Sequence, residues 1–386
     1  MVLKASRRGL VPPFMAMDMM RESAMLEARG QSIIHLEVGQ PSTGIPKRAA
    51  LRISESLSND VLGYTVAQGL PALRDRIAQH YLDTYGVTVP ASRVFATTGS
   101  SAGFILAFLS AFEVGDRVAL ASPGYPAYRH ILTSLGMVPE LILADATTRY
   151  QPTVDHLKRL HSLPDGLILG SPANPTGSVI PTEEFCELVT YCDQHGIRLI
   201  SDEIYHGITY GTDSATAAGL ADSGFVVNSF SKYFSMTGWR LGWLLVPPDL
   251  MRSLECLAQN LFIAPPTLSQ LAGTAVFECR DELDANVQRY SANRDILLKR
   301  LPELGFDKFA PADGAFYVYA DISAFTDDAE SFCKRMLNEA GVATTPGLDF
   351  DPARGHKFIR FSFAGSSGDM EEACARLQTW CEGLKV

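Results

Sequence analysis

The chain's 386 residues are 46% hydrophobic and 20% charged, a balance that excludes a disordered polypeptide and allows one large core or two. Its net charge of -10, from 33 basic and 43 acidic side chains, excludes a broad basic face of the kind that displaces counterions from nucleic acid. The longest apolar stretch, residues 104–112, is interrupted by Ser110 and falls well short of the roughly 20 residues that span a bilayer.

The start of the chain, with Lys4, Arg7 and Arg8, imitates a signal peptide, but Pro12, Pro13, Asp18, Arg21 and Glu22 deny it an apolar segment. Residues 1–13 read as an irregular arm, 16–29 as a helix stopped by Gly30, and 33–38 as a short strand. From Lys47 onward helices and strands alternate. Residues 70–85, 100–112, 125–135 and 182–195 carry helical patterns, and 94–97, 117–121, 166–169, 197–201 and 225–228 are β-rich runs. After Pro247 the pattern is almost wholly helical to 301, broken at 264–266. Strands at 315–319 and 357–363 then mix with helices at 329–340 and 369–382. Such alternation predicts an α/β fold: a three-layer αβα large domain on a mostly parallel central sheet, plus a smaller α+β domain. The expected division is an N-terminal arm and part of the small domain at 1–45, the large domain at 46–285, and the small C-terminal domain at 286–386. Seven scattered cysteines, odd in number and without a C-x-x-C pair, predict a reduced, cytoplasmic setting.

Ligands of open parallel sheets bind beyond the carboxyl ends of the strands, so the residues that follow each run carry the functional expectation. After 94–97 come Gly99, Ser100 and Ser101, small residues opening a helix whose N–H groups and dipole suit an anion; a plain serine cap would look the same. Tyr125 follows 117–121 and either stacks on a flat ring or packs in the core. After 166–169, Asn174 sits between Pro172 and Pro175, offering an amide or simply a tight turn. Asp202 ends the 197–201 run with Tyr205 three residues on; a carboxylate there needs a partner or a capping role. Glu203 and His206 read as solvent or second-layer residues. With no H-E-x-x-H motif and no second histidine nearby, no metal site is expected.

The most informative segment is 229–240. Lys232 lies three residues after Ser229 and eight before Arg240, in surroundings too apolar for an ordinary exposed loop. An amine held there has its charge disfavoured and becomes a nucleophile toward a carbonyl, while the flanking serines and Arg240 suit a phosphate. Arg360, set among apolar residues on a strand, suits a bidentate carboxylate or an internal salt bridge.

Together these pieces resemble the class I/II aminotransferases, aspartate-aminotransferase-like members of the fold-type I pyridoxal-phosphate enzymes. The resemblance runs from Gly39-Gln40-Pro41 to Arg360 and rests on the ordered set Asn174, Asp202, Tyr205, Lys232, Arg240 and Arg360. It implies that Lys232 carries pyridoxal 5'-phosphate covalently and then moves the substrate proton. Asp202 would pair with the ring nitrogen, an interaction of about 4 kcal/mol at 4 Å and an effective dielectric near 20. Tyr205 and Asn174 would bond the phenolic oxygen, Tyr125 would stack on the ring, and Gly99, Ser100, Ser101, Ser229 and Arg240 would surround the phosphate. Tyr64 would reach the phosphate of a neighbouring subunit, implying a homodimer with shared sites. Arg360, helped by Gly39 and Asn174, would clamp the substrate carboxylate.

The implied activity is ping-pong transfer of an amino group between an L-amino acid and a 2-oxo acid. Ser101 stands where some aspartate-using relatives carry lysine, and residues 14–17 offer no second cation. A broad or neutral amino-acid preference is therefore expected over a dicarboxylate-specific one, with glutamate and 2-oxoglutarate the first pair to test. The alternative within the fold is a C–S β-lyase or a cyclopropane-carboxylate-synthase-like enzyme. Ser229-x-x-Lys232 also matches the S-x-x-K of serine hydrolases and penicillin-binding proteins, but neither Ser-Asp-Asn nor Lys-Thr-Gly occurs in the chain. No helix-turn-helix extension that would mark a regulator is seen.

Overall fold

The computed structural model describes residues 3–384; Met1–Val2 and residues 385–386, at the ends of the expected first and last units, lie outside the described residues. Among the described residues, twelve strands form three sheets. They are β1 (Ile34–His35), β2 (Val94–Thr97), β3 (Arg117–Ser122), β4 (Val138–Leu143), β5 (Gly166–Gly170), β6 (Arg198–Asp202), β7 (Phe225–Ser229), β8 (Gly242–Leu245), β9 (Tyr317–Asp321), β10 (Val342–Ala343), β11 (Thr345–Pro346) and β12 (Phe358–Ser362).

The large sheet has the order β2-β8-β7-β6-β5-β3-β4. Every pairing in it is parallel except the two that β8 makes, with β2 and β7. Strands β2, β5, β6, β7 and β8 are buried along nearly their whole length, as expected of a sheet covered on both faces. Helices Gly99–Ala111, Pro126–Leu135 and Thr182–His195 provide crossovers. This is the α/β architecture expected from the alternation of elements.

Two strands of this sheet are absent from the expectation. Pro139 interrupts the run that forms β4, and proline cannot donate to a ladder; β4 tolerates it as the outermost strand, paired only with β3. β8, a four-residue strand, begins two positions after Arg240 and opens on glycine, a residue depleted in strands. The expected strand at 33–38 shrinks to the two-residue β1, because only Ile34 and His35 find partners, in β10.

The smaller sheet is antiparallel, with the order β11-β12-β9. Its core joins Tyr317, Val318, Ile359 and Phe361 to Tyr290 and Leu297 of helix Arg280–Glu303 and to Leu377 and Trp380 of helix Ser367–Leu384. Met19, Ile33 and Leu36, from the start of the chain, pack into the same core, as do Ile204 and Tyr205 from the end of β6. The expected helix at 329–340 ends as such at Arg335 and finishes in a π turn to Ala340. No helix among the described residues is long and apolar enough to cross a membrane.

Trp243 of β8 is fully buried, and its indole N–H donates to the Tyr81 hydroxyl at 3.1 Å. It meets Phe230 edge-on with centroids 5.0 Å apart, in a cluster that includes Phe234 and Phe277. Trp243→Ala removes the centre of that cluster, and a loss of about 3–5 kcal/mol is expected. Urea unfolding followed by far-ultraviolet circular dichroism measures it; an unchanged midpoint would show that the cluster contributes little.

Candidate active site

One cleft, enclosing about 850 Å³ including its mouth, opens where the carboxyl ends of the parallel strands meet the smaller sheet. Four of these strands deliver a residue to it. β5 leads to Asn174, β6 ends on Asp202, β7 leads to Lys232, and β3 leads to Tyr125. β8 runs the other way, so its amino end lies at the same edge, and Arg240, two positions before that end, reaches the cleft. β12 contributes Arg360 from the smaller sheet.

The turn carrying Lys232 is fixed from behind. Phe230 and Phe234 are buried in the aromatic cluster under the sheet, and Phe230 N–H donates to Leu241 O at 3.0 Å. With its neighbours anchored there, Lys232 projects into the cleft, where its Nζ donates to Gly39 O at 2.7 Å. The side chain is half-buried because it borders the cleft, yet protein surrounds the amine. Burial is the main influence that lowers its pKa to about 8, with Arg360 and Arg240 adding repulsion and Asp202 opposing them.

Asp202 is 3% exposed. One carboxylate oxygen accepts the hydroxyl of Tyr128, and the other accepts Ile204 N–H at 3.1 Å. Burial outweighs these bonds and pushes its pKa up to about 7. A cation beside it would pull that value back down.

The anion end is built by backbone. Gly99 starts helix Gly99–Ala111 with φ +77°, and a Cβ there would lie 2.5 Å from Arg240 Nη2. Any side chain at 99 would both strain the backbone and displace the guanidinium. Ser100 and Ser101, in the first turn, line the cleft beside Arg240. Arg240 itself adopts φ 50°, a costly conformation for a non-glycine residue, at the junction that turns the chain into β8.

At the opposite end Arg360 is 2% exposed. Its Nη1 donates to Asn174 Oδ1 at 2.9 Å, and its Nη2 to Glu37 O and, at 3.3 Å, to Thr345 Oγ1. Its guanidinium carbon lies 4.4 Å from the Tyr317 ring centroid and 4.7 Å from that of Phe350. Among the described residues it forms no salt bridge, and its Nε has no hydrogen-bond partner. The internal salt bridge considered for it is therefore not made there, and the guanidinium is left with capacity for an external carboxylate.

Of the residues singled out in the sequence, Gly39, Ser100, Ser101, Tyr125, Asn174, Asp202, Tyr205, Lys232, Arg240 and Arg360 line this one cleft. Gly99 lies directly behind it against Arg240. Ser229 does not line it. Ser229 is 1% exposed, its hydroxyl donates to Ser231 Oγ at 2.9 Å, and Ser231 is the flanking serine that reaches the wall. Tyr64 is 87% exposed and touches no part of the cleft within one chain. Glu203 and His206 are buried rather than solvent-facing, which corrects the solvent half of that reading. Glu203 accepts Ser201 and Thr216 hydroxyls and Ala217 N–H, while His206 lies between the Tyr85 hydroxyl and Ser171 O.

The wall residues that were missed include Tyr128 and Tyr317. Tyr128 follows Tyr125 by three positions, one helical turn, and that spacing was a usable signal. Tyr317 had none: its hydroxyl meets Tyr205 at 2.7 Å across 112 positions of chain. Gly39 exists to admit it, since a Cβ at 39 would lie 1.6 Å from the Tyr317 hydroxyl.

Comparison with known proteins agrees with this geometry. The family model described as aminotransferase class I and II matches residues 31–377. The chain is 48% identical over 381 residues to a valine–pyruvate aminotransferase of Mycobacterium tuberculosis, covering 98% of each chain. It superposes on a crystal structure of an aminotransferase from the same organism with a TM-score of 0.97, at 47% identity, covering 99% of this chain and 100% of that one. An aspartate aminotransferase of Thermus thermophilus with maleate gives a TM-score of 0.92 at 27% identity, covering 98% of this chain and 100% of that one. The chain belongs to the class I and II aminotransferases, which transfer an amino group between an amino acid and a 2-oxo acid.

Proposed function

We propose that this enzyme uses pyridoxal 5'-phosphate held on Lys232 and acts on neutral, apolar amino acids, with pyruvate or another small 2-oxo acid as partner. The observation that carries the reading is one cleft with an amine of lowered pKa at its centre, an anion cradle at one end and an unpaired buried guanidinium at the other. The residues fit the cofactor. Its phosphate suits the helix start at Gly99–Ser101 with Arg240 and Ser231, and its protonated ring nitrogen suits the buried Asp202 carboxylate. Tyr125 would stack on the ring, and Tyr205 and Asn174 would bond its phenolic oxygen. Ser229 would act through Ser231. When bound, the cofactor supplies a ring that accepts electrons and stabilises negative charge at the substrate Cα.

The chain's own residues do the rest. Arg360 and Asn174 bind and orient the substrate carboxylate, fixing which Cα bond faces Lys232 Nζ. That amine, with a pKa near 8, is neutral in a substantial fraction at physiological pH, so it can take the Cα proton and return it. Phe14, Met17 and Val38 supply an apolar wall, and among the described residues of one chain no cation besides Lys232, Arg240 and Arg360 lines the cleft. The absence of a further cation there favours a neutral side chain over a dicarboxylate, as does the likeness to the valine–pyruvate enzyme.

The reading includes a cytoplasmic homodimer. Exposed Leu51, Leu57, Val61, Tyr64 and Val66 support a partner on that face, with Tyr64 reaching the partner's phosphate. It also divides the chain at 45 and 285, supported by the core that Met19, Ile33 and Leu36 share with Tyr290 and beyond.

Borohydride reduction of the loaded protein followed by peptide mapping should place the label on Lys232, and Lys232→Ala should abolish both label and transfer; a label elsewhere overturns the assignment. The rate at which cofactor-free protein takes up pyridoxal phosphate should climb with pH as the amine loses its proton and level off above about 8. A rate still climbing through roughly pH 10 would mark an ordinary lysine. Arg360→Ala should lower kcat/KM for neutral amino acids at least tenfold, about 1.4 kcal/mol. Arg360→Lys, which keeps the charge but not the fork, should fall between; unchanged kinetics would remove Arg360 from the substrate site.

A further inference from the structure

One buried carboxylate outside this machinery joins the N-terminal helix to the turn beside Arg360. Asp349, 2% exposed, closes the short turn Gly347–Asp349 that follows β11. Its Oδ1 accepts Met15 N–H and its Oδ2 accepts Ala16 N–H, both at 3.2 Å. These are the first residues of helix Met15–Glu27, whose N-cap residue, Phe14, makes no side-chain cap. The opening N–H groups of a helix have no partner within it, and its dipole favours an anion there. A carboxylate more than 330 positions away supplies the missing cap.

The same turn reaches the carboxylate clamp. Thr345, at its entry, bonds Arg360, and Phe350, at its exit, packs on the Arg360 guanidinium. The backbone carbonyl of Asp349 also accepts Arg129, from the helix that Tyr125 opens. The capped first turn, in turn, carries Phe14 and Met17, which line the cleft.

We infer that Asp349 is a positioning residue for substrate choice: by capping the N-terminal helix from the turn beside Arg360, it sets the distance between the carboxylate clamp and the apolar wall. The inference rests on the proposed reading of the cleft as an amino-acid site. A wall that slips loses apolar contact with a branched side chain, whereas the methyl of alanine has little such contact to lose.

The test compares holoenzyme variants by the steady-state kinetics of amino transfer from valine, leucine and alanine. Asp349→Asn keeps the shape but loses the charge and one acceptor. It should raise the apparent KM for valine and leucine at least fivefold, with kcat, and both constants for alanine, within twofold of wild type. Met15→Pro removes one capped N–H at a helix position where proline is accommodated, and should shift the same two substrates about threefold. It serves if the Asp349 variant does not fold. In a Met17→Ala background Asp349→Asn should add less than twofold, because both changes act through one wall. Equal losses for all three substrates, or none in both Asp349→Asn and Met15→Pro, would overturn the positioning role while leaving amino transfer standing. A wild type that transfers from none of the three overturns both readings.

Discussion

Lys232, Asp202 and Arg360 share one cleft, and the cost of placing ionisable groups there governs much of its construction. A buried charge without partners costs several kcal/mol, and the three side chains meet that cost differently. Lysine and aspartate respond by moving toward neutrality, to about 8 and about 7. Arginine cannot release its proton, so Arg360 is instead lodged among a carbonyl, an amide, a hydroxyl and two aromatic faces. Under the proposed reading, the incomplete satisfaction of these groups by protein is what would make the cleft receptive to an anionic substrate and a cationic ring nitrogen.

Holding these groups in place requires rigid supports on both sides. Beneath the sheet, Phe230 and Phe234 lock the lysine turn into the aromatic cluster around Trp243. Above it, Gly39 lends its carbonyl to Lys232 and, by lacking a side chain, admits the Tyr317 hydroxyl that meets Tyr205. The cleft is thus bounded by segments from near residue 15, from the middle of the chain and from near residue 350.

The sheet residues were legible because each lies at a strand end, where a parallel fold presents its ligands. Asp202 ends β6, and Asn174 and Lys232 follow β5 and β7 at short intervals, so local pattern and site coincide. The β4 edge strand was hidden by Pro139, since local chemistry cannot show that a strand has only one neighbour. Glu203 and His206 looked peripheral because polar side chains usually are. Only their packing against Thr216, Ala217 and Tyr85 shows how they remain buried.

The order of elements and the apolar setting of Lys232 were enough to determine the α/β class, the family and most of the side chains that line the cleft. Those are properties of neighbours along the chain. Folding alone decided that Ser231 rather than Ser229 faces the cleft, that Tyr128 holds Asp202, and that Asp349 caps a helix at the other end of the molecule. Such contacts depend on which surfaces meet across hundreds of residues, and no periodicity in one segment encodes the partner that another will bring.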